Sequence, residues 1–223
     1  VNPHLIILLV GFFYILIFGG LSLLRREGLS NRFAFEVLGI TALAFAGAVV
    51  TGTAINPILF LVLVYLISMR VRILVDLANL LASRGDYGRA ISLLRLAPKL
   101  GPDKASLLIV LINQGVVLLR RGDPQEAQKL FLQVLEAAKE GGLGTKHEAA
   151  CRYNLAVACN RLGQEAEAIR QFNEVAELMP TSIYSREAER AIKQRRENGL
   201  KRRQADQSPS QAPRQDDPPA GQP

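Results

Sequence analysis

The chain has 223 residues, a formal net charge of +7, and 49% hydrophobic against 21% charged residues. Two cysteines and two histidines are too few for a disulfide scaffold or for a zinc centre built from those ligands. The averages hide a division: residues 1–69 carry only five charges, Arg25, Arg26, Glu27, Arg32 and Glu36.

Residues 5–24 form an uncharged apolar run of about 20 residues, long enough to cross a bilayer as a helix. No Lys or Arg precedes the run and no small-x-small cleavage pattern follows it, which favours a retained span over a signal peptide. Val1 reads either as a non-Met start or as a trimmed end. A second span is predicted over 33–52. There Ala44, Ala48 and Gly52 recur at i, i+4, i+8, a spacing that suits packing within the hairpin or, less readily, against a second copy. A third is predicted over 57–70, short for a full crossing unless the stems of Arg70 and Arg72 snorkel. Arg25, Arg26 and Arg32 fall in the first loop and Arg70 and Arg72 after the third run. The positive-inside tendency therefore puts the N-terminus outside and everything after residue 70 in the cytoplasm. Glu36, four residues after Arg32, reads as one half of an interfacial ion pair, with an intramembrane functional acid as the alternative. No Gly or Pro lies between residues 58 and 83, so this stretch is expected to run as one helical rod of about 39 Å.

After residue 84 one line of sequence returns three times: RGDYGRAISLL, RGDPQEAQKLF and LGQEAEAIRQF. Gly85, Gly122 and Gly163 align, as do Ala90, Ala127 and Ala168, at spacings of 37 and 41 residues. Periods of this length mean a stacked helical array. Each unit predicts a helix, a glycine that ends it in a left-handed conformation, and a second helix. The units are placed at 71–104, 108–141 and 149–182. Small residues (Ala78, Gly115 and Ala156) sit where paired helices cross most closely.

In this alternation of small and large positions, mid-unit glycine and late proline, residues 71–182 resemble the tetratricopeptide repeat (TPR) family. Departures are Lys139 in place of a closing proline and a longer link, KEGGLGTKHE, before the third unit. The resemblance implies an all-α protein, with transmembrane helices followed by a right-handed array of three repeats and a capping helix. It also implies a protein-binding groove lined by the first helix of each unit. Arg72, Val75 and Asn79 would line it in the first unit, Ile109, Ile112 and Val116 in the second, and Tyr153, Val157 and Asn160 in the third. Asn79 and Asn113 fall at the two asparagine positions of the family's carboxylate clamp, but Val75, Ala150 and Asn154 stand where its cations belong. The groove is instead mainly apolar and suits an amphipathic helix or an extended apolar segment of a partner.

A cap is predicted over 182–197, started by Thr181 or Ser182. Residues 198–223 are too polar to bury a core and are expected to be disordered. Lys193, Arg195, Arg196, Lys201, Arg202 and Arg203 are candidate contacts to anionic lipid, or simply the solvated end of the cap. Nothing in the sequence points to catalysis or to a cofactor or metal. His4 and His147 have no neighbour at triad or metal spacing, and His147 is expected in a solvated loop. Cys159 reads as a small buried hydrophobe, and Cys151 is too far along the same helix to bond with it. No phosphate-binding loop, dinucleotide fingerprint or G-x-S-x-G is present. The expected function is that of a membrane-anchored adaptor or assembly factor binding proteins at the inner face of a bacterial plasma membrane. A permanent accessory subunit of a transporter, channel or other membrane complex is the alternative, and nucleic acid is not an expected partner.

Overall fold

The computed structural model describes residues 3–24 and 31–207, and among these every regular element is helical. Side chains of residues 3–4, 21–24, 31, 196, 198 and 202–207 lie outside the description.

Three apolar helices come first: α1 (Pro3–Leu24), α2 (Asn31–Thr51) and α3 (Pro57–Ser68). They pack as a bundle around Ile7, Tyr14, Val37, Ala48, Phe60 and Val64. The closest approach is at Gly11, where an added Cβ would lie 2.4 Å from Thr41 Oγ1, so only glycine fits under that neighbour. Ala44 and Ala48 of the small-residue stripe belong to this bundle core, whereas Gly52 is exposed beyond the end of α2. The polar side chains inside are satisfied locally. The Thr41 hydroxyl donates to the Val37 carbonyl at 2.7 Å, and the Tyr14 and Ser68 hydroxyls are bonded at 2.7 Å between α1 and α3. The Asn56 side chain caps α3 by accepting the Ile58 and Leu59 amides. Among the residues whose side chains are described, Arg32–Thr51 is on its own long and apolar enough to cross a membrane.

The expected rod is not formed. The chain breaks at Met69, and α4 (Arg70–Ser83) leaves α3 at 71°. Absence of Gly and Pro permits a continuous helix but does not impose one, because tertiary contacts override propensity. Here the competing contacts come from Arg70, described below.

From α4 onward the helices stack as an array of antiparallel pairs. The pairs are α4 with α5 (Tyr87–Leu96), α6 (Lys104–Arg121) with α7 (Pro124–Ala138), and α8 (Thr145–Arg161) with α9 (Glu165–Leu178). Gly85, Gly122 and Gly163 follow the first helix of each pair with φ of 83°, 100° and 75°, conformations that side-chain-bearing residues avoid. Gly115 is required by contact: a Cβ there would lie 2.5 Å from the Phe131 ring, which fills the α6–α7 crossing. Ala78, Ala90, Ala127, Ala156 and Ala168 are fully buried at the equivalent crossings. The core is continuous from Val75 to Ala168, as stacking of units that cannot bury a face alone demands.

Helix starts differ from the periodicity. α6 begins at Lys104 because Asp103 caps it through the Ser106 amide, and α8 begins at Thr145. Pro98 turns the end of the first unit into a 3-10 turn over Ala97–Leu100, closed by Gly101 at φ 61°. The longer link before the third unit folds back on α6, with Gly142 against the Lys104 stem and Glu140 3.2 Å from Lys104 Nζ. The last helix, α10 (Ile183–Gln207), starts at Ser182, whose Oγ accepts the Ser185 amide. It runs ten residues past the expected cap into sequence expected to be disordered. Its Lys, Arg, Gln and Ala residues are good helix formers, and they carry the helix through Gly199. The remainder of that tail, 208–223, lies outside the described residues.

Candidate functional site

The inner face of the array is built by α4, α6 and α8. The nine expected lining residues divide by unit. In the first, Arg72 is exposed and Asn79 half-buried, but Val75 is turned into the core with 8% exposure. In the second, Ile109 and Val116 are half-buried, while Ile112, at 6% exposure, is again core. Val75 and Ile112 belong to the continuous core of the array, which leaves little of either side chain for a ligand. The two asparagines of the clamp-like pair bond each other: Asn79 Nδ2 donates to Asn113 Oδ1 at 3.0 Å, and Asn113 Nδ2 donates to the Ile109 carbonyl at 2.8 Å.

The third unit is occupied by the chain itself. α10 takes the place that the first helix of a fourth unit would have. Tyr153 stacks between Phe172 and Tyr184, with both ring centroids at 5.8 Å. Val157 joins the same cluster with Ala188 and Ile192, and Asn160 accepts a hydrogen bond from Arg195. Burial holds the Tyr153 hydroxyl above its usual range of ionisation. The open part of the inner face is therefore the first two units, presenting Arg72, Asn79, Ile109 and Val116.

On the opposite side, an open cleft of about 500 Å³ lies between α7, α8 and α9. Arg152 forms its floor, bonded to Glu148 at 2.9 Å and to Glu174, with the buried Gln171 alongside. Its charge is matched within the cleft, and the network ties α8 to α9. Cys151 and Cys159 are both buried and unbonded to each other, and burial pushes the Cys151 thiol up to about 12. Thiols held neutral in this way are inert as nucleophiles. His147 lies half-buried in the first turn of α8 rather than in a loop, since that helix starts earlier than expected. Among the described residues no group of three or more His, Cys, Asp or Glu is placed to hold a metal.

Of the candidate lipid contacts, Lys193 and Lys201 are exposed, but Arg195 is turned into the array, against Asn160 and 3.9 Å from Glu165. The side chains of Arg196, Arg202 and Arg203 lie outside the described residues.

A second cluster joins the two halves of the molecule. Glu36 receives Arg32 at 3.1 Å, as its spacing predicts, but its main partner is Arg70, which bonds both carboxylate oxygens at 2.7 and 2.9 Å. The same guanidinium donates to the Ile67 carbonyl at the end of α3 and, at 2.9 Å, to the Leu100 carbonyl closing the first unit. Arg32 also lies against Gly101. One planar fork thus ties α2, the end of α3 and the first repeat together at the 71° elbow. Sequence spacing reveals only the local half of this cluster, because the Glu36–Arg70 pair spans 34 residues.

The surface of the two halves differs in kind. Twenty exposed large hydrophobics fall in α1–α3, against seven in the rest of the described chain. The bundle is therefore apolar outside as well as in its core, whereas the array exposes few large hydrophobics.

Residues 106–181, the second and third repeats, match the tetratricopeptide repeat family. No curated protein matches the chain. Repeats of this family act in protein–protein interaction, typically as non-enzymatic scaffolds.

Proposed function

We propose that this chain is a membrane-anchored adaptor or assembly factor. Helices α1–α3 sit in a bilayer, and the repeats bind a helix or extended apolar segment of a membrane-associated protein. The observation that carries the reading is the apolar exterior of α1–α3, which is tied through Arg70 to a repeat array. A patch of that extent on a monomer in water is far beyond the few hundred Å² that soluble proteins expose. A cytoplasmic position for the repeats is supported by the arginines: Arg32 and Arg70 meet at one end of the bundle, through Glu36, with Arg72 just beyond. The partner surface on this reading is the open inner face over the first two units. Occupancy of the third by α10 leaves Tyr153, Val157 and Asn160 as packing residues.

The test is crosslinking capture from native membranes with the full chain, comparing wild type with Arg72→Glu and Ile109→Glu, both at accessible positions. Loss of specific partners in the variants supports the adaptor reading. Partners retained at fixed ratio by both variants would assign the complex to α1–α3, as in a permanent accessory subunit.

A further inference from the structure

Helix α4 has two apolar faces, and the array uses one. Val75, Ala78 and Ala82 enter the repeat core with Val71, Leu74 and Leu81 packed beside them. Leu77 and Leu80 remain 46% and 47% exposed. Ile73, Leu77, Leu80 and Arg84 follow one another at helical spacing, so they form a second stripe beside the core face.

The direction of that stripe is indicated by Arg70. Its side chain reaches Glu36 on α2, the Ile67 carbonyl on α3 and the Leu100 carbonyl of the first repeat, so the side of α4 that carries Arg70 lies at the junction of the bundle and the first repeat. Ile73 and Leu77 lie at i+3 and i+7 from Arg70, on that same side, with Leu80 one step round. The 71° elbow turns α4 out of the bundle direction. With α3 along the membrane normal, α4 lies within about 20° of the membrane plane, inside the ordinary range of helix tilt. The large hydrophobics of α3 are exposed up to Ile67, just before the elbow, and Arg72 and Arg84 are exposed near the two ends of the stripe.

We infer that α4 is an interfacial helix: its Ile73–Leu77–Leu80 stripe rests in the headgroup–acyl boundary of the bilayer that α1–α3 occupy. The occupant of this face is lipid. An in-plane helix buries its apolar side about 5–10 Å deep, and arginine stems of the length present at Arg72 and Arg84 reach back to the phosphates. The first repeat would then be at once a repeat and a membrane foot. The open inner face, which begins at Arg72, would be held close above the bilayer, where an emerging segment of a membrane protein is within reach.

The inference rests on the anchor reading, and one experiment separates them. The full chain is reconstituted in phosphatidylcholine–phosphatidylglycerol vesicles with single nitroxides at Leu77→Cys, Leu80→Cys, Asp76→Cys, Ser83→Cys and Leu43→Cys. All five positions are exposed, so labelling leaves the packing intact, and the buried Cys151 and Cys159 are shielded under native conditions. Collision with oxygen, relative to a water-soluble nickel chelate, should be several-fold higher at Leu77 and Leu80 than at Asp76 and Ser83. Water-like values at Leu77 and Leu80 with a lipid-like value at Leu43 would overturn the interfacial placement and leave the anchor standing. Water-like values at all three would overturn both. Dipolar broadening at Leu77 from a second copy would overturn the lipid assignment by making this face a dimer contact.

Discussion

The bundle and the array are both helical with apolar cores, yet their exteriors differ: the array is covered by charge and the bundle by large hydrophobics. In the array, Phe131, Leu155 and Phe172 are buried, and charge covers the outside in short-range pairs such as Arg170–Glu167 and Lys129–Glu126. In the bundle, Thr41 and Tyr14 are inside while Leu9, Phe12, Leu43 and Val50 are outside. The array is therefore stabilised by water's rejection of apolar surface, whereas a bundle placed in lipid, as proposed, would lack that force. In that setting its helices would be held by close approach at Gly11 and by internal hydrogen bonds. The same residue type has opposite consequences in the two regions.

Substitutions of one kind in each region test that contrast. The largest effect is expected from Phe131→Ala, which empties the α6–α7 crossing and should cost about 3–5 kcal/mol in denaturant unfolding of the array. Leu43→Lys leaves the array untouched. It should reduce membrane insertion by about 3 kcal/mol in an insertion assay, and an unchanged inserted fraction would break the distinction between the halves.

Glu36→Gln attacks the joint. Removing the charge from a carboxylate that receives two arginines should weaken the elbow by about 2 kcal/mol. It should also broaden the distance distribution between spin labels at Ala42 and Arg89. A distribution as narrow as wild type would mean that packing alone holds the angle.

The smallest effect is expected on the array surface. Glu167 titrates below the usual carboxylate range because Arg170 bonds it, with Gln171 adding a second bond. A folded-state value below the unfolded one contributes stability above the ordinary carboxylate pKa, lost as pH falls through the lowered value. Glu167→Gln should therefore cost a few tenths of a kcal/mol at neutral pH and nothing at pH ~2, read from unfolding midpoints at the two conditions.

The repeats were legible because their code is local. A left-handed glycine after each first helix, alanine at each crossing and a fixed spacing all follow from backbone geometry and from how closely two helices approach. The division into an apolar and a charged half was legible for the same reason, since composition is additive along the chain. The inner face was read less well. Position in a repeat says that a residue lies on the first helix, but Val75 and Ile112 are taken into the core, and Tyr153 is packed by α10. Reach across helices, which no spacing encodes, settled those three.

The sequence by itself determined the helical class, the repeat register and the apolar character of α1–α3, because each arises from interactions between residues a few positions apart. Tertiary structure alone decided the elbow at Met69, the closure of the third unit by α10 and the second partner of Glu36. Those features involve Arg70 and Arg195 finding partners 34 and 35 residues away, and a helix with no Gly or Pro to stop it still breaks where a half-buried guanidinium gains several hydrogen bonds at the break.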